Sequence, residues 1–126
     1  LSVKLKYLQG WNEKRQAIAA LYQKNITNPK IKMQAQPSWA TSIYHLFVVT
    51  VADKDAFVKH LEKNDIIAAY HYPVPCHLQQ AYAHLGYSIG DFPNAEYLAS
   101  QCVSLPMFAE LTDEEIARVI DVVNAY

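Results

Sequence analysis

The first 24 residues carry apolar side chains three or four positions apart, the spacing of one face of an α-helix. We therefore predict one long helix over residues 1–24, with Gly10 marking a bend because glycine is a poor helix former. The first side chains of this face find no obvious partner in the rest of the sequence, so we expect them to pack on protein outside it. The face consists of Leu1, Leu5, Leu8, Trp11, Ile18 and Tyr22.

Alternating apolar and polar residues predict strands in the next part of the chain. Residues 31–36 are typical of an edge strand, and residues 43–51 of a central strand, because both faces of the latter are apolar. Asp53 is suited to cap a helix that runs to Asn64, and residues 66–70 are a second buried run. This order of strand, helix and strand predicts a parallel pair joined by a right-handed crossover.

Turn and capping signals divide the remainder of the chain. We predict a short helix over residues 78–85 that ends at Gly86, and a second helix that begins at Pro93 and buries a stripe reaching Cys102. Residues 104–106 are expected to be extended. The predicted fold class is α+β: a small mixed sheet of about three strands covered by helices, with the long N-terminal helix leading in.

The last helix has the clearest sequence signal. Thr112 and Glu115 have the spacing of a capping box, and Leu111 can pack on Ile116 as a hydrophobic staple. The apolar face expected to be buried comprises Ile116, Val119, Ile120 and Val123.

Composition narrows the class of protein. The 126 residues are enough for one domain, and 52% apolar residues make disorder a poor description. The net charge of -1 and the lack of a basic stripe argue against nucleic acid as a partner. No apolar run approaches the roughly 18 residues of a membrane span, and no signal peptide is visible. Two cysteines without paired-motif spacing favour a cytoplasmic protein, although a single bridge stays open.

The chain does not begin with Met, and its helical pattern is already under way at Leu1. We therefore expect it to be a piece of a longer protein. Initiator removal with trimming would give the same beginning.

The candidate chemistry is concentrated in residues 69–79, where Pro73 and Pro75 stiffen the chain. His71, Cys76 and His77 lie there, and three such side chains on a loop could hold a metal, although zinc sites prefer a more recognisable spacing. A Cys76–His77 nucleophile pair is geometrically poor, because neighbours in an extended chain point apart. The plainest interpretation is that each histidine is an ordinary loop or core side chain. We also expect His45 to be a buried, hydrogen-bonded residue within its strand.

Several short strings, taken together and in order, resemble the C-terminal part of the DegT/StrS-like sugar-nucleotide aminotransferases. The opening residues 3–15 are similar to the linker helix of that family. The resemblance spans nearly the whole chain, so it is more specific than any one motif. The strings are Tyr44–Val49, His71–Gln79, Leu85–Tyr87, Gly90–Pro93, Ser104–Met107 and Leu111–Thr112.

The resemblance implies a pyridoxal-phosphate (PLP) enzyme of fold type I that converts a keto-sugar nucleotide into an amino-sugar nucleotide, commonly with glutamate as donor. Family members are homodimers with active sites at the subunit interface. The lysine that binds PLP, the residue that stacks on it and the carboxylate at its ring nitrogen all lie in a large domain that this sequence lacks. The resemblance thus assigns residues 1–24 to a linker helix and residues 25–126 to the small domain. We expect this chain alone neither to bind PLP well nor to transaminate.

Residue by residue, His71 and His77 match the two loop histidines of the family. We expect them to contact substrate or to order the site, as hydrogen-bond donors to sugar or phosphate oxygens. Tyr72 and Gln79 are secondary candidates, and no catalytic, cofactor-binding or metal-binding residue is assigned in this chain. The alternative is a stand-alone interaction or ligand-binding module that has the same fold without catalysis.

Overall fold

A computed structural model describes all 126 residues. The helices are α1 Ser2–Leu5, α2 Leu8–Asn25, α3 Lys54–Glu62, α4 Pro93–Gln101 and α5 Asp113–Asn124. The strands are β1 Lys32–Met33, β2 Phe47–Thr50 and β3 Cys102–Leu105. Two 3-10 helices, Cys76–Leu78 and Gln80–Leu85, lie between α3 and α4. None of the helices is both long enough and apolar enough to cross a membrane.

The sheet has three strands in the order β1-β2-β3, and both pairs are antiparallel. The predicted α+β class with a small sheet and covering helices is confirmed. The predicted parallel pair is wrong, because β3 lies beside β2 with Val49 opposite Val103. Residues 66–70 form no strand of their own and touch the sheet through one antiparallel bridge, Ala69 to Ser104. Since both neighbours of β3 run opposite to it, this segment and β2 share a direction without pairing.

The sequence predicts a helix that reaches Cys102, followed by an extended segment over residues 104–106. In the structure Cys102–Leu105 is the strand β3. All four of its residues are buried, and its ladder with β2 extends over four residue pairs. Cys102, which the apolar stripe placed on α4, begins the strand instead. A short apolar run has no periodicity of its own, so its partner strand decides its conformation.

The N-terminal helix is divided, but not where the sequence suggested. The break lies at Lys6 and Tyr7, and Gly10 is inside α2. Residues 1–10 are exposed, whereas Ile18 and Tyr22 enter the core. The second half of this helix therefore belongs to the folded unit, and its first half presents apolar side chains outward.

Two further local predictions are corrected. His45 is exposed and precedes the strand, which begins only at Phe47. Tyr44 has a φ of 47°, and this left-handed conformation interrupts the extended backbone. The expected edge strand over residues 31–36 pairs at only two positions.

The core packs the helices against one face of the sheet, the face that carries Val49 and Val103. The ring of Tyr22 meets Phe47 edge-on at 5.1 Å, and its hydroxyl donates to the carbonyl of Pro106 at 3.0 Å. Burial, and secondarily the charge of Glu115, raises the pKa of Tyr22. The buried face of α5 consists of Ile116, Val119, Val122 and Val123.

The capping predictions are confirmed. Asp53 accepts from the amide of Ala56, and Thr112 with Glu115 completes the capping box. Pro93 opens α4. Gly86 ends the preceding helix in the left-handed conformation with φ 74°, which glycine adopts without strain. That helix is of the 3-10 type and is separated at Gln79 from the shorter one before it.

Candidate functional site

The histidine-bearing loop is attached to the edge of β3 that does not pair with β2. Ala69 exchanges two backbone hydrogen bonds with Ser104, at 2.8 and 3.2 Å. Nδ1 of His71 lies 2.9 Å from Oγ of Ser104, whose residue is only 4% exposed. The thiol of Cys102 donates weakly to the carbonyl of His71 at 3.8 Å. The start of the loop is therefore fixed by neighbouring residues of one strand.

A groove of about 440 Å³ opens between this loop and α4. It holds three of the four predicted site residues, namely His71, Tyr72 and His77, and not Gln79. The remaining wall is mostly apolar: Pro75, Cys76, Phe92, Ala95, Leu98, Ala99 and Cys102. Polar groups thus converge at one side of an apolar cleft, which is typical of small-molecule sites.

The side chain of His77 is largely enclosed. It is 7% exposed, and its Nε2 lies 3.1 Å from a carboxylate oxygen of Glu96 on α4. The ring of Phe92 packs against the imidazole with centroids 4.8 Å apart. The orientation of His77 is therefore set by residues on two other segments.

Glu96 connects this histidine to the loop before α4. Its Oε1 accepts from the amides of Gly90 at 2.9 Å and Phe92 at 3.3 Å, and its Oε2 also accepts from Gly90. The Gly90 amide is the main cause that lowers the pKa of the Glu96 carboxyl, with Phe92 and His77 acting in the same direction. Sequence reasoning missed this residue. Its one signal is an acidic side chain in the first turn of α4, after a loop with a glycine.

Each loop histidine uses one ring nitrogen to hold its place. Nδ1 of His71 and Nε2 of His77 are taken by Ser104 and Glu96, and the second nitrogen of each ring has no partner in the chain. No buried side-chain nitrogen or oxygen lacks a hydrogen-bond partner. Neither of the two free nitrogens is therefore completely buried.

The two secondary candidates are less constrained. Tyr72 is 70% exposed, and its ring meets that of His71 edge-on at 5.3 Å. Gln79 is exposed and reaches only the carbonyl of Val74, at 3.5 Å. Tyr72 thus lines the groove with most of its side chain exposed, while Gln79 lies outside the groove.

Metal and nucleophile chemistry find little support in the geometry. No three His, Cys, Asp or Glu side chains lie close enough together to hold a metal ion. Cys76 is exposed and Cys102 is buried, and both are free thiols. No carboxylate lines the groove. The two histidines that line it bond Ser104 and Glu96, and neither bonds the thiol of Cys76.

A PLP site also needs a lysine and a cradle for the phosphate, and no lysine lines the groove. Lys54 contacts the groove residue Ala99, but it does not line the groove. Its ammonium donates to the carbonyl of Ala99 at 2.8 Å and lies 5.0 Å above the ring of Tyr70. The residues that line this groove therefore provide no lysine to hold PLP.

The sequence of this chain is similar to a known protein family and to named members of it. The sequence profile of the DegT/DnrJ/EryC1/StrS aminotransferase family matches residues 1–124. The dTDP-3-amino-3,6-dideoxy-alpha-D-galactopyranose transaminase of Aneurinibacillus thermoaerophilus is 39% identical over all of this chain, which spans 34% of that protein. The dTDP-3-amino-3,4,6-trideoxy-alpha-D-glucose transaminase of Streptomyces venezuelae is 35% identical over the full chain and 34% of its own length.

Solved structures agree with the fold. The crystal structure of S. venezuelae DesV superimposes with a TM-score of 0.95 and 35% identity, over 98% of this chain and 34% of that one. A DegT DnrJ EryC1 StrS aminotransferase from Brucella abortus gives a TM-score of 0.88 at 29% identity, over 99% of this chain and 33% of its own. This chain spans about a third of the length of each of these relatives.

Proposed function

Because this chain belongs to the DegT/DnrJ/EryC1/StrS aminotransferase family, we propose that it is the small domain of a PLP-dependent sugar-nucleotide aminotransferase. The complete enzyme converts a keto group on a nucleotide-linked sugar into an amine, with glutamate as the amino donor. The observation that carries this proposal is the family match over residues 1–124. Two relatives named as transaminases of dTDP-linked amino sugars support the substrate class.

The cofactor belongs to the part of the enzyme outside these 126 residues. PLP supplies the electron sink in transamination, and the protein orients it. The groove offers no lysine, so we propose that a large domain provides the cofactor site. On this view the chain alone neither binds PLP nor transaminates.

The part played by this chain is to form one wall of the substrate site. His71 and His77 each have one ring nitrogen without a partner in the chain, and the exposed Tyr72 lines the same groove. We propose that these groups make hydrogen bonds with the sugar or the phosphates. Gln79, which lies outside the groove, contributes only if a partner surface brings the ligand to it.

The exposed apolar side chains of the first helices support the proposal that another domain covers them. Val3, Leu5 and Leu8 on the first helices are exposed, although burial of such side chains is favourable. We propose that the large domain covers them, and that the complete enzyme is a homodimer. Both cysteines are free thiols, which agrees with the cytoplasmic location that we propose.

The test is an assay of the full-length protein. We expect purified enzyme, supplied with PLP and glutamate, to aminate at least one of a panel of keto-sugar nucleotides, with the amino product identified by mass spectrometry. The 126-residue chain should show no activity and no lysine–PLP adduct after borohydride reduction. An adduct on the chain would contradict the placement of the cofactor site. If the full-length protein loads PLP but aminates no keto sugar, the proposed substrate class is wrong. A coding region that encodes only these residues would favour a binding module instead.

A further inference from the structure

We propose that Glu96 is a positioning residue for His77: it holds the ring with the proton on Nε2 and so presents Nδ1 as a hydrogen-bond acceptor for a sugar hydroxyl. This inference rests on the proposed function and adds the direction of one hydrogen bond to it. It concerns two residues that lie 19 positions apart and meet across the groove wall.

The first step is the protonation state of the carboxylate. Glu96 accepts three contacts from the amides of Gly90 and Phe92, and such donors stabilise the charged form. An ionised carboxylate can only accept hydrogen bonds. Nε2 of His77, 3.1 Å from Oε1, must therefore carry a hydrogen.

The second step is that the ring cannot easily turn over. The side chain of His77 is 7% exposed, and the ring of Phe92 lies 4.8 Å from it. The amide of Phe92 donates to the same carboxylate oxygen that Nε2 contacts. One glutamate thus fixes both the imidazole and the segment that packs on it.

The third step concerns the free nitrogen. A neutral imidazole with its hydrogen on Nε2 has a lone pair on Nδ1, so this atom accepts and does not donate. The complementary group on a ligand is a donor such as a hydroxyl, whereas an ionised phosphate oxygen is itself an acceptor. In its neutral form His77 is therefore assigned to the sugar and not to the phosphates.

His71 provides the contrast. Its Nδ1 contacts the hydroxyl of Ser104 at 2.9 Å. A hydroxyl can donate or accept, so neither hydrogen position is imposed on His71. Only the histidine bonded to the carboxylate has a defined direction, and this difference separates the roles of the two rings.

Histidine NMR on the full-length protein tests the positioning step without activity. The protein is labelled with ¹⁵N-histidine, and the His77 signals are assigned by their loss in His77→Asn. At a pH where the ring is neutral, we expect a single tautomer with the hydrogen on Nε2. Glu96→Ala should give a mixture of tautomers, Glu96→Gln should keep the native form because its amide oxygen can replace Oε1, and Glu62→Ala should change nothing. A hydrogen on Nδ1 in the native protein would overturn the proposal.

Kinetics test the consequence for the substrate. A hydrogen bond between two neutral groups, such as Nδ1 of His77 and a sugar hydroxyl, is worth roughly 2- to 12-fold in an equilibrium or rate constant. We expect Glu96→Ala to lower kcat/KM for the keto-sugar nucleotide by about fivefold in an otherwise native background. In a His77→Ala background the same change should cost less than about twofold, since both act through one contact. Additive losses would show that Glu96 does not act through His77.

The two hypotheses fail in different ways. An active enzyme whose His77 has the wrong tautomer, or whose Glu96 and His77 losses are additive, contradicts only the positioning role. An inactive full-length enzyme with the Nε2 tautomer contradicts the proposed function and leaves the contact between the two side chains in place. Substitution of Glu96 by Gln guards against a collapsed loop, because its amide oxygen can still accept from Gly90 and Phe92.

Discussion

The hydroxyl of Ser104 lies 2.9 Å from Nδ1 of His71, and this contact joins the candidate loop to the sheet. Ser104 is the one buried polar residue of the chain. It also pairs through its backbone with Ala69, two residues before the histidine. The position of His71 therefore depends on the strand β3.

We expect Ser104→Ala to destabilise the protein by about 1 kcal/mol, because a buried hydrogen bond is lost and Nδ1 of His71 loses its partner. Chemical denaturation measures the change. Ser100→Ala is the matched control, because the hydroxyl of Ser100 bonds a carbonyl on an exposed helix surface. Equal effects of the two substitutions would show that the contact with His71 contributes nothing.

The buried hydroxyl of Tyr22 gives a prediction at alkaline pH. Burial raises the pKa of Tyr22, so the folded state holds the proton more tightly than the unfolded state. This contribution to stability is complete below the ordinary tyrosine pKa of about 10 and is lost as the pH rises above it. We expect Tyr22→Phe to lower stability by about 1 kcal/mol at neutral pH and to weaken the alkaline decline. Tyr97→Phe, on an exposed side chain, should leave both unchanged.

The Glu96 carboxyl predicts a loss of stability at acid pH, whereas Tyr22 predicts a loss at alkaline pH. Its pKa is lowered chiefly by the amide of Gly90, so the unfolded state binds a proton first. The stabilisation is present above the ordinary carboxyl pKa of about 4.3 and is lost as the pH falls through the lowered value. We expect hydrogen exchange of the amides of Gly90 and Phe92 to accelerate in acid more than the neighbouring backbone. Glu96→Gln should remove this pH dependence, and Glu62→Gln should keep it.

The contribution of the α5 capping box to the free energy of unfolding can be measured. Thr112 accepts from the amide of Glu115 at 3.2 Å, and Glu115 accepts from the amide of Thr112 at 2.8 Å. We expect Thr112→Ala to cost about 1 kcal/mol of unfolding free energy, as is usual for loss of an N-cap. Thr41→Ala, at an exposed position, should cost much less. A Thr112 variant as stable as the native protein would show that α5 is held by packing alone.

The exposed side chain of Leu5 tests our proposal that a further domain covers the first helices. We expect Leu5→Gln to cost about 1.5–3 kcal/mol in the full-length protein, the value of a buried leucine, and almost nothing in the 126-residue chain. Thermal unfolding of both proteins makes the comparison. Lys6→Gln, on the adjacent exposed residue, is the control. A variant that leaves the full-length protein unaffected would remove Leu5 from the proposed domain interface.

Local signals were sufficient for much of the secondary structure. The capping pairs of Asp53 and Thr112, the proline that opens α4 and the glycine after Leu85 act within a few residues, so their spacing alone predicts a helix boundary. The order of the strings around His71–Gln79 also indicated the family, which the profile match confirms. Both kinds of information are written in neighbouring residues.

The tertiary structure decided what depends on distant partners. β3 became the neighbour of β2 because it buries all four of its residues there, and this displaced the expected parallel pair. His45 fell outside the strand because the backbone turns at Tyr44. Ser104 and Glu96 reach the two loop histidines across 33 and 19 residues. The sequence alone determined the N-caps of α3 and α5, the proline that opens α4 and the loop that carries the histidines. Folding alone determined the partners of those histidines, because a contact between distant residues depends on where the chain returns and not on its local pattern.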